Sequence, residues 1–370
     1  MKSVLVLGGY GNFGRRIVAG LSREEDCRVF VGGRNIEAAT QVAQQEGGSA
    51  EPLAIDCHAS KFSAELRRIA ATLVIHTAGP FQGQSYSVPV ACIAARAHYV
   101  DLADGRAYVC GIGALDEDAR NNDVLIVSGA STLPALSSAV VDALQARFSS
   151  IESIDHGITS GAKPPGRATM TGVLAYAGKA FSQWCEGEWR AVHGWQDLTH
   201  RHYPGPVNAR WLANCDVPDL DLFPERYRPV RTVRFRAGVG PDASMFGLGL
   251  ASWLVRIGLL SSLEGCVPAL HRTASATARF GSKCSAMHVT VRGLDLNGEP
   301  AIRNWFLIAD QDHGPFIPCF PAIALARKVL RDEVSARGAI PCMGLLTVSD
   351  ILAVGHGLDL RVVESFDPKE

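Results

Sequence analysis

Short apolar runs without polar alternation recur through the first third of the 370-residue chain. Such runs are typical of strands that are buried on both faces of a parallel sheet. The six runs span residues 4–7, 28–31, 52–55, 73–76, 98–102 and 124–127. Between them, apolar residues recur at helical spacing, as at Ile36, Ala39 and Val42. This alternation predicts an α/β fold with a doubly wound parallel sheet, a Rossmann architecture.

The pattern changes after residue 150, where apolar and polar residues alternate over 153–160, 230–236 and 285–292. The pair Asn297-Gly298 is typical of a hairpin turn, and residues 301–308 then form the returning strand. Strict alternation indicates strands with one buried and one exposed face. We therefore expect a second, α+β domain with an antiparallel sheet.

One long apolar stretch, residues 245–263, contains Arg256, Ser252 and three glycines. A membrane span requires about 20 apolar residues without a central charge. The stretch is therefore expected to form a buried helix or a helix at a dimer interface.

Charge and composition exclude several classes of partner and cofactor. The net charge of −1 argues against a general affinity for nucleic acid or for anionic membranes. The ten cysteines include no C-x-x-C pair, which argues against zinc and favours reduced thiols in a cytoplasm. Lys2 is followed at once by the first strand, so no signal peptide is predicted. The cluster His200-Arg201-His202 shows no third metal ligand nearby and is expected to be a polar surface loop, so no metal site is predicted.

The first strand leads into a glycine-rich loop with the spacing G-x-G-x-x-G, formed by Gly9, Gly11 and Gly14. In a strand–loop–helix unit, these glycines permit a tight turn, let a pyrophosphate approach the backbone, and let helix and strand pack closely. The first helix is expected to begin inside the loop, so that its free N–H groups face an anion. The motif in this context predicts a dinucleotide site.

The end of the second strand indicates which dinucleotide binds. An NAD site usually places an acid there, but the chain reads Gly32-Gly33-Arg34, and Arg15 lies just past the glycine loop. A cation suits a 2′-phosphate, so we predict NADP. Asp56, at the end of the third strand, is interpreted either as a partner of the adenine amino group or as the cap of a helix near Ser60.

Five stretches resemble the saccharopine dehydrogenase family in its short NADP-binding form. They are Val6–Gly14, Gly32–Arg34, His76–Phe81, His98–Leu102 and Gly338–Leu345. The resemblance is specific over residues 1–135 and thinner beyond. It implies a dinucleotide domain at 1–135, an α+β substrate and dimerisation domain at 136–320, and C-terminal helices at 321–370 that pack back on the first domain.

Two departures concern the substrate. Family members that act on saccharopine tend to carry an acid after the Tyr-Val-Asp-Leu stretch and a Pro-Gly after the sixth strand. This chain reads Ala103-Asp104-Gly105-Arg106 and Pro134-Ala135 at those places. The resemblance therefore implies the cofactor but not saccharopine as the substrate.

The expected cofactor contacts come from the glycine loop and from the ends of the later strands, where ligands of doubly wound sheets lie. They are Gly9, Tyr10, Gly11, Asn12, Phe13, Gly14, Arg15, Gly33, Arg34, Asp56, Thr77, Ala78, Gly79, Pro80, Ala130 and Ser131. The nicotinamide is expected between the loops at 77–81 and 129–134.

The predicted function is an NADP(H)-dependent oxidoreductase, a cytoplasmic homodimer that reduces a carbonyl or imine of a small molecule. Catalytic candidates are Tyr99, Asp101, His156 and Lys163, since histidine or lysine suits proton donation near neutral pH. The alternative is a dinucleotide-binding regulator or scaffold without turnover, because a fold alone does not establish activity.

Overall fold

The computed structural model describes residues 1–161, 163, 166–278 and 281–367. The chain divides into two compact units. The first comprises residues 1–139 and 316–356, and the second comprises 140–315 and 357–370, of which 368–370 lie outside the described residues. Each unit contains its own seven-stranded sheet.

The N-terminal part of the first unit alternates strands and helices. In chain order these are β1 (Lys2–Leu7), α1 (Gly14–Leu21), β2 (Cys27–Gly33), α2 (Ile36–Glu46), β3 (Ala50–Ala54), α3 (Phe62–Arg68), β4 (Ala71–His76), α4 (Ser87–Ala95), β5 (His98–Asp101), α5 (Arg106–Cys110), α6 (Asp116–Asn121) and β6 (Leu125–Ser128). A 3-10 turn at Gly111–Leu115 and a π-helical turn at Thr132–Leu136 precede α6 and α7 (Ser137–Gln145), respectively.

The second unit contains most of the remaining elements. These are β7 (Phe148–Thr159), α8 (Arg167–Leu174), β8 (Ala180–Cys185), β9 (Glu188–His193), β10 (Thr199–His202), β11 (Ala209–Asn214), α9 (Asp219–Arg226), β12 (Thr232–Gly238), α10 (Asp242–Arg256), α11 (Val267–Thr277), β13 (Ser285–Asp295) and β14 (Pro300–Ala309). The chain then contributes α12 (Phe320–Leu330), β15 (Gly338–Pro341) and α13 (Val348–Ala353) to the first unit, and β16 (Leu360–Asp367) to the second.

The sheet of the first unit is parallel throughout, with the strand order β15-β6-β5-β4-β1-β2-β3. Strand β1, in the interior of this sheet, is inaccessible to solvent from Val4 to Val6, as the unbroken apolar run requires. The strand order reverses between β1 and β4, which makes their carboxyl ends the topological switch point where ligands of such sheets bind. The predicted Rossmann fold is confirmed.

The seventh strand of this sheet, β15, was not among the predicted strands. It contains only two consecutive apolar residues, Ala339 and Ile340, between Gly338 and Pro341, so no apolar run marks it. It pairs with β6 in parallel register. Helix α12 is buried through most of its length, and Arg327 in it donates a hydrogen bond to the carbonyl oxygen of Gly20 in α1, at 3.2 Å.

The sheet of the second unit has the order β10-β11-β12-β7-β13-β14-β16. It is mixed, since β12 and β7 are parallel while the other pairs are antiparallel. Alternating burial reports which face of a strand is covered, not the direction of its neighbour, so the sequence did not reveal the parallel pair. A separate hairpin consists of β8 and β9.

Two local expectations differ from the structure. The cluster His200–His202 is part of strand β10 rather than a surface loop, and Arg201 within it is half-buried. Residues 360–367, expected among C-terminal helices that pack on the first domain, form β16 and pair with β14 in the second sheet. The run Leu360-Arg361-Val362-Val363 carries the β-branched residues that favour a strand.

Candidate functional site

The turn after β1 is made by Gly8, one residue before the G-x-G-x-x-G motif begins. Gly8 has a φ of +75°, a conformation that favours glycine. The backbone N–H groups of Gly8 and Gly9 both donate to the carbonyl oxygen of Gly32, at 2.9 and 3.1 Å. A Cβ on Gly9 would lie 2.9 Å from a Val31 side-chain carbon. Gly9 therefore permits packing against β2, and the tight turn expected of it belongs to Gly8.

The other two glycines of the motif differ in how much room surrounds them. A Cβ on Gly14 would lie 2.1 Å from the carbonyl oxygen of Gly8, in the turn that ends β1, which agrees with the close packing of helix and strand expected there. At Gly11 the nearest atom would be the same oxygen, at 3.0 Å. The protein backbone thus requires a glycine at position 14, whereas position 11 leaves space on its open side for a ligand.

Helix α1 presents its N-terminus to this loop. Its N-cap, Phe13, makes no side-chain capping hydrogen bond, and its first turn contains no acidic residue. An uncapped N-terminus next to a glycine loop offers backbone N–H groups and a positive dipole end to an anion. The loop from Gly9 to Gly14 thus fits the pyrophosphate of a dinucleotide.

Two arginines are predicted to bind the 2′-phosphate: Arg34, directly after β2, and Arg15, in the first turn of α1. The ring of Tyr10 covers Gly33, where a Cβ would lie 2.3 Å from Tyr10 Cε1, and the Tyr10 hydroxyl accepts a hydrogen bond from the Asn35 N–H at 3.3 Å. Arg34 and Arg15 are both exposed. Asn35 caps α2 by accepting a hydrogen bond from the Ala38 N–H at 3.0 Å.

Asp56 stabilises a turn rather than a helix. Its carboxylate accepts a hydrogen bond from the His58 N–H at 3.0 Å, and α3 begins only at Phe62 with Lys61 as its N-cap. The helix-capping alternative for Asp56 is therefore wrong. The carboxylate remains exposed at the end of β3.

The loop after β4 is joined to the glycine loop across the switch point. The Thr77 hydroxyl donates to the carbonyl oxygen of Leu7 at 2.7 Å, and the Thr77 N–H donates to the same oxygen at 2.9 Å. The Gln84 amide donates to the carbonyl oxygens of Ala78 and Pro80, at 3.1 and 2.6 Å, and so fixes the loop on its other side. The bond between Gly79 and Pro80 is cis.

Asp101 holds the loop after β6. One carboxylate oxygen, Oδ1, accepts hydrogen bonds from the Gly129 N–H at 2.8 Å, the Ala103 N–H at 2.9 Å and the Ser128 hydroxyl at 3.0 Å. The Ala130 N–H donates to the Asp101 backbone oxygen at 2.8 Å. Burial raises the pKa of Asp101 to about 6, against the opposing effect of these bonds.

Asp101 is therefore a buried anchor, since its accessible fraction is 0%. Tyr99 is equally inaccessible, and its hydroxyl bonds to His76 Nδ1 at 3.1 Å and to the Tyr108 hydroxyl at 3.2 Å. Burial lowers the pKa of His76 to about 4 and raises that of Tyr99 well above its ordinary value. At neutral pH both groups are uncharged and form a fixed polar network behind Asp101.

An accessible acid at this edge, Asp104, was not singled out as a candidate from the sequence. It is half-buried in the segment after β5, and Gln82 from the loop after β4 donates a hydrogen bond to its Oδ1 at 3.2 Å. Burial raises the pKa of Asp104, and the hydrogen bond from Gln82 opposes this rise. In the sequence, a single aspartate after a strand is indistinguishable from an ordinary loop residue. Only the fold shows that Asp104 pairs with Gln82.

Residues 4–142 match the family model described as the saccharopine dehydrogenase NADP binding domain. Over these residues the chain is similar to that domain. The predicted resemblance is thus confirmed, and so is NADP(H) as the cofactor, because the matched domain is an NADP-binding one. No curated protein matches the sequence.

Two solved structures share the fold over nearly the whole chain. Apo histidine-tagged saccharopine dehydrogenase (L-Glu forming) from Saccharomyces cerevisiae aligns with a TM-score of 0.69 at 12% identity, covering 99% of this chain and 100% of that one. Homospermidine synthase from Legionella pneumophila in complex with NAD aligns with a TM-score of 0.62 at 11% identity, covering 100% and 92%, respectively. At such identities the likeness concerns the fold alone.

The two catalytic candidates of the second unit have opposite surroundings. His156 is fully buried, with its Nε2 3.1 Å from Asp219 Oδ1 and its ring stacked on that of Phe223 at 5.2 Å. This placement fits a structural core histidine and argues against direct contact with a substrate. Lys163 is exposed.

Across the described parts of the chain, no three His, Cys, Asp or Glu side chains are placed to hold a metal ion together. None of the described helices is both long and apolar enough to cross a membrane.

Asp101 predicts a pH dependence of stability. Its pKa is about 6 when folded and about 4 when unfolded, so between these values the folded state binds more protons and stability falls as pH rises. Relative to an Asp101→Asn variant, the wild type should therefore lose about 2 kcal/mol of unfolding free energy between pH 4 and pH 7. Urea titrations at a series of pH values measure the unfolding free energy of both proteins. Both contain the same histidines, so the contributions of those histidines cancel in the difference.

The matched control is Glu117→Gln, which neutralises an exposed acid of the same unit. The difference in unfolding free energy between this variant and the wild type should not follow the pH dependence expected for Asp101→Asn. If the difference for Asp101→Asn does not change with pH either, the raised pKa of Asp101 is contradicted.

Proposed function

We propose that this protein is an NADP(H)-dependent oxidoreductase that reduces a carbonyl or imine of a small metabolite other than saccharopine. The observation that carries the proposal is that one edge of the first sheet combines an uncapped glycine loop with an accessible acid, Asp104, whose pKa is raised. The first feature suits a dinucleotide, and the second suits proton donation.

In this proposal the backbone of the loop from Gly9 to Gly14 holds the pyrophosphate, and Arg34 with Arg15 binds the 2′-phosphate. Asp56 accepts from the adenine amino group. The nicotinamide end lies between the loops at 77–81 and 129–134, beside Thr77, Ala78, Gly79 and Pro80 on one side and Ala130 and Ser131 on the other. The bound cofactor supplies the hydride.

Asp104 donates the proton to the substrate oxygen or nitrogen. Burial raises the pKa of Asp104, which favours its proton-bearing form, and Gln82 fixes the orientation of the group. Asp101 and Tyr99 act as positioning residues, because both are inaccessible and Asp101 fixes the loop after β6. Lys163 is the exposed candidate of the second unit, whereas His156 has a structural role.

We also propose that the protein is a cytoplasmic homodimer. None of its ten cysteines, all of which lie within the described residues, takes part in a disulfide, as expected in a reducing compartment. The homodimer is supported by large apolar side chains that α10 exposes.

The reaction is tested by NADPH oxidation, followed as loss of absorbance, with a panel of oxo acids, imines and enones. We expect turnover with at least one of these classes. Asp104→Asn should lower kcat by about 10²-fold or more without weakening NADPH binding, since general acid catalysis contributes on this scale. NADPH binding without turnover by any compound would favour a regulator or scaffold.

The matched control is Gly11→Val. Its side chain enters the space left for the pyrophosphate, while the nearest protein atom to its Cβ is the Gly8 carbonyl oxygen at 3.0 Å. This variant should fold but lose both NADPH binding and activity.

Cofactor preference tests the role of Arg34. A charge-assisted hydrogen bond to phosphate contributes roughly 1.5–3 kcal/mol, or about tenfold to a hundredfold in affinity. We expect calorimetry to show at least a tenfold preference for NADPH over NADH. Arg34→Ala should remove most of it and leave NADH affinity nearly unchanged, and adding Arg15→Ala should remove the remainder.

Arg23→Ala, at an exposed arginine after α1, is the control and should keep the preference. If Arg34→Ala also keeps it, the 2′-phosphate site lies elsewhere.

A further inference from the structure

Helix α10 and the residues just after it turn large apolar side chains toward solvent. We call these side chains the outer stripe: Phe246, Leu250 and Trp253 lie in α10, whereas Ile257 and Leu260 follow its end at Arg256. From Phe246 to Ile257 the successive spacings of four, three and four residues follow the repeat with which one helix packs along another. Their exposed fractions are 48, 66, 49, 61 and 38%, respectively.

The opposite side of α10 is already anchored in the second unit. Met245, Gly249 and Ser252 are buried there. The Ser252 hydroxyl donates to the Gly194 carbonyl oxygen at 2.7 Å and accepts from the Gln196 amide at 3.1 Å. The helix is therefore held in place by one face, and the described residues leave the outer stripe exposed.

The outer stripe is as large as the largest apolar patch of a typical monomer. Its five side chains expose on the order of 500 Å² of apolar area, and the neighbouring Leu259 is 70% exposed as well. The largest apolar patch on a typical monomer is about 300–600 Å² and is often functional. A standard interface buries about 800 Å² per partner, most of which the stripe and its flanks would supply.

The charged residues of α10 indicate what kind of surface covers the outer stripe. The only charged residues of α10 are Asp242 in its first turn and Arg256 in its last. A helix that lies on a membrane surface instead carries many lysines and arginines on its polar face. An antiparallel copy of α10 would bring the acidic end of one helix toward the basic end of the other, with the stripes in register.

We propose that two copies of this chain associate about a twofold axis through antiparallel packing of their outer stripes. Such an interface is isologous, since the same surface is used by both copies. This inference rests on the homodimer proposed above, and it is independent of the reaction and of the cofactor.

The test is analytical ultracentrifugation of the full chain over a range of concentrations. The wild type should sediment as a dimer. Leu250→Glu places two charges in the apolar centre of the interface and should weaken dimerisation at least a hundredfold, giving a monomer with unchanged NADPH affinity. Leu296→Glu makes the same change at a 70% exposed hairpin residue and should remain dimeric.

Ile257→Glu provides a second variant, at the end of α10, if Leu250→Glu fails to fold. A monomeric wild type at 100 µM would overturn the homodimer itself. A dimeric wild type whose Leu250→Glu and Ile257→Glu variants remain dimeric would overturn only the outer stripe as its interface. Cosedimentation of the wild type with phosphatidylcholine–phosphatidylglycerol vesicles, lost in Leu250→Glu, would assign the stripe to a membrane surface and contradict the proposal.

Discussion

The close approach of α1 to the turn after β1 is the constraint on which the cofactor site depends. Gly14 begins the helix so near to Gly8 that a single added carbon would lie 2.1 Å from the Gly8 oxygen. Because helix and turn are packed this tightly, the N–H groups of the loop are held in place without a capping side chain. A preformed group of donors costs little reorganisation when an anion binds.

Hydrogen bonds extend this rigidity along the carboxyl edge of the first sheet. Thr77 joins the loop after β4 to the end of β1, and Asp101 joins the end of β5 to the loop after β6. The cost is a buried carboxylate whose pKa is raised to about 6. Asp104, a few residues on, is half-buried and remains accessible, so neighbouring acids take different roles through their different exposure.

The sequence predicted the Rossmann sheet because short apolar runs mark most of its strands, although β3 contains Glu51 and Pro52 and none of its residues is buried. It did not predict β15, because Gly338 and Pro341 leave no apolar run there. It also did not predict that β12 pairs in parallel with β7, because the alternation of apolar and polar residues does not show the direction of the neighbouring strand. Gly8 was missed because the motif starts one residue later. Asp104 became a candidate only when the fold placed Gln82 beside it, since the pairing joins two separate loops.

The measurement that tests the account most directly is a crystal structure of the protein with NADP⁺ bound. We predict the pyrophosphate against the backbone of residues 9–14, the 2′-phosphate at Arg34, and the nicotinamide between the loops at 77–81 and 129–134. A pyrophosphate bound away from the glycine loop would contradict the account, and so would a nicotinamide far from Asp104.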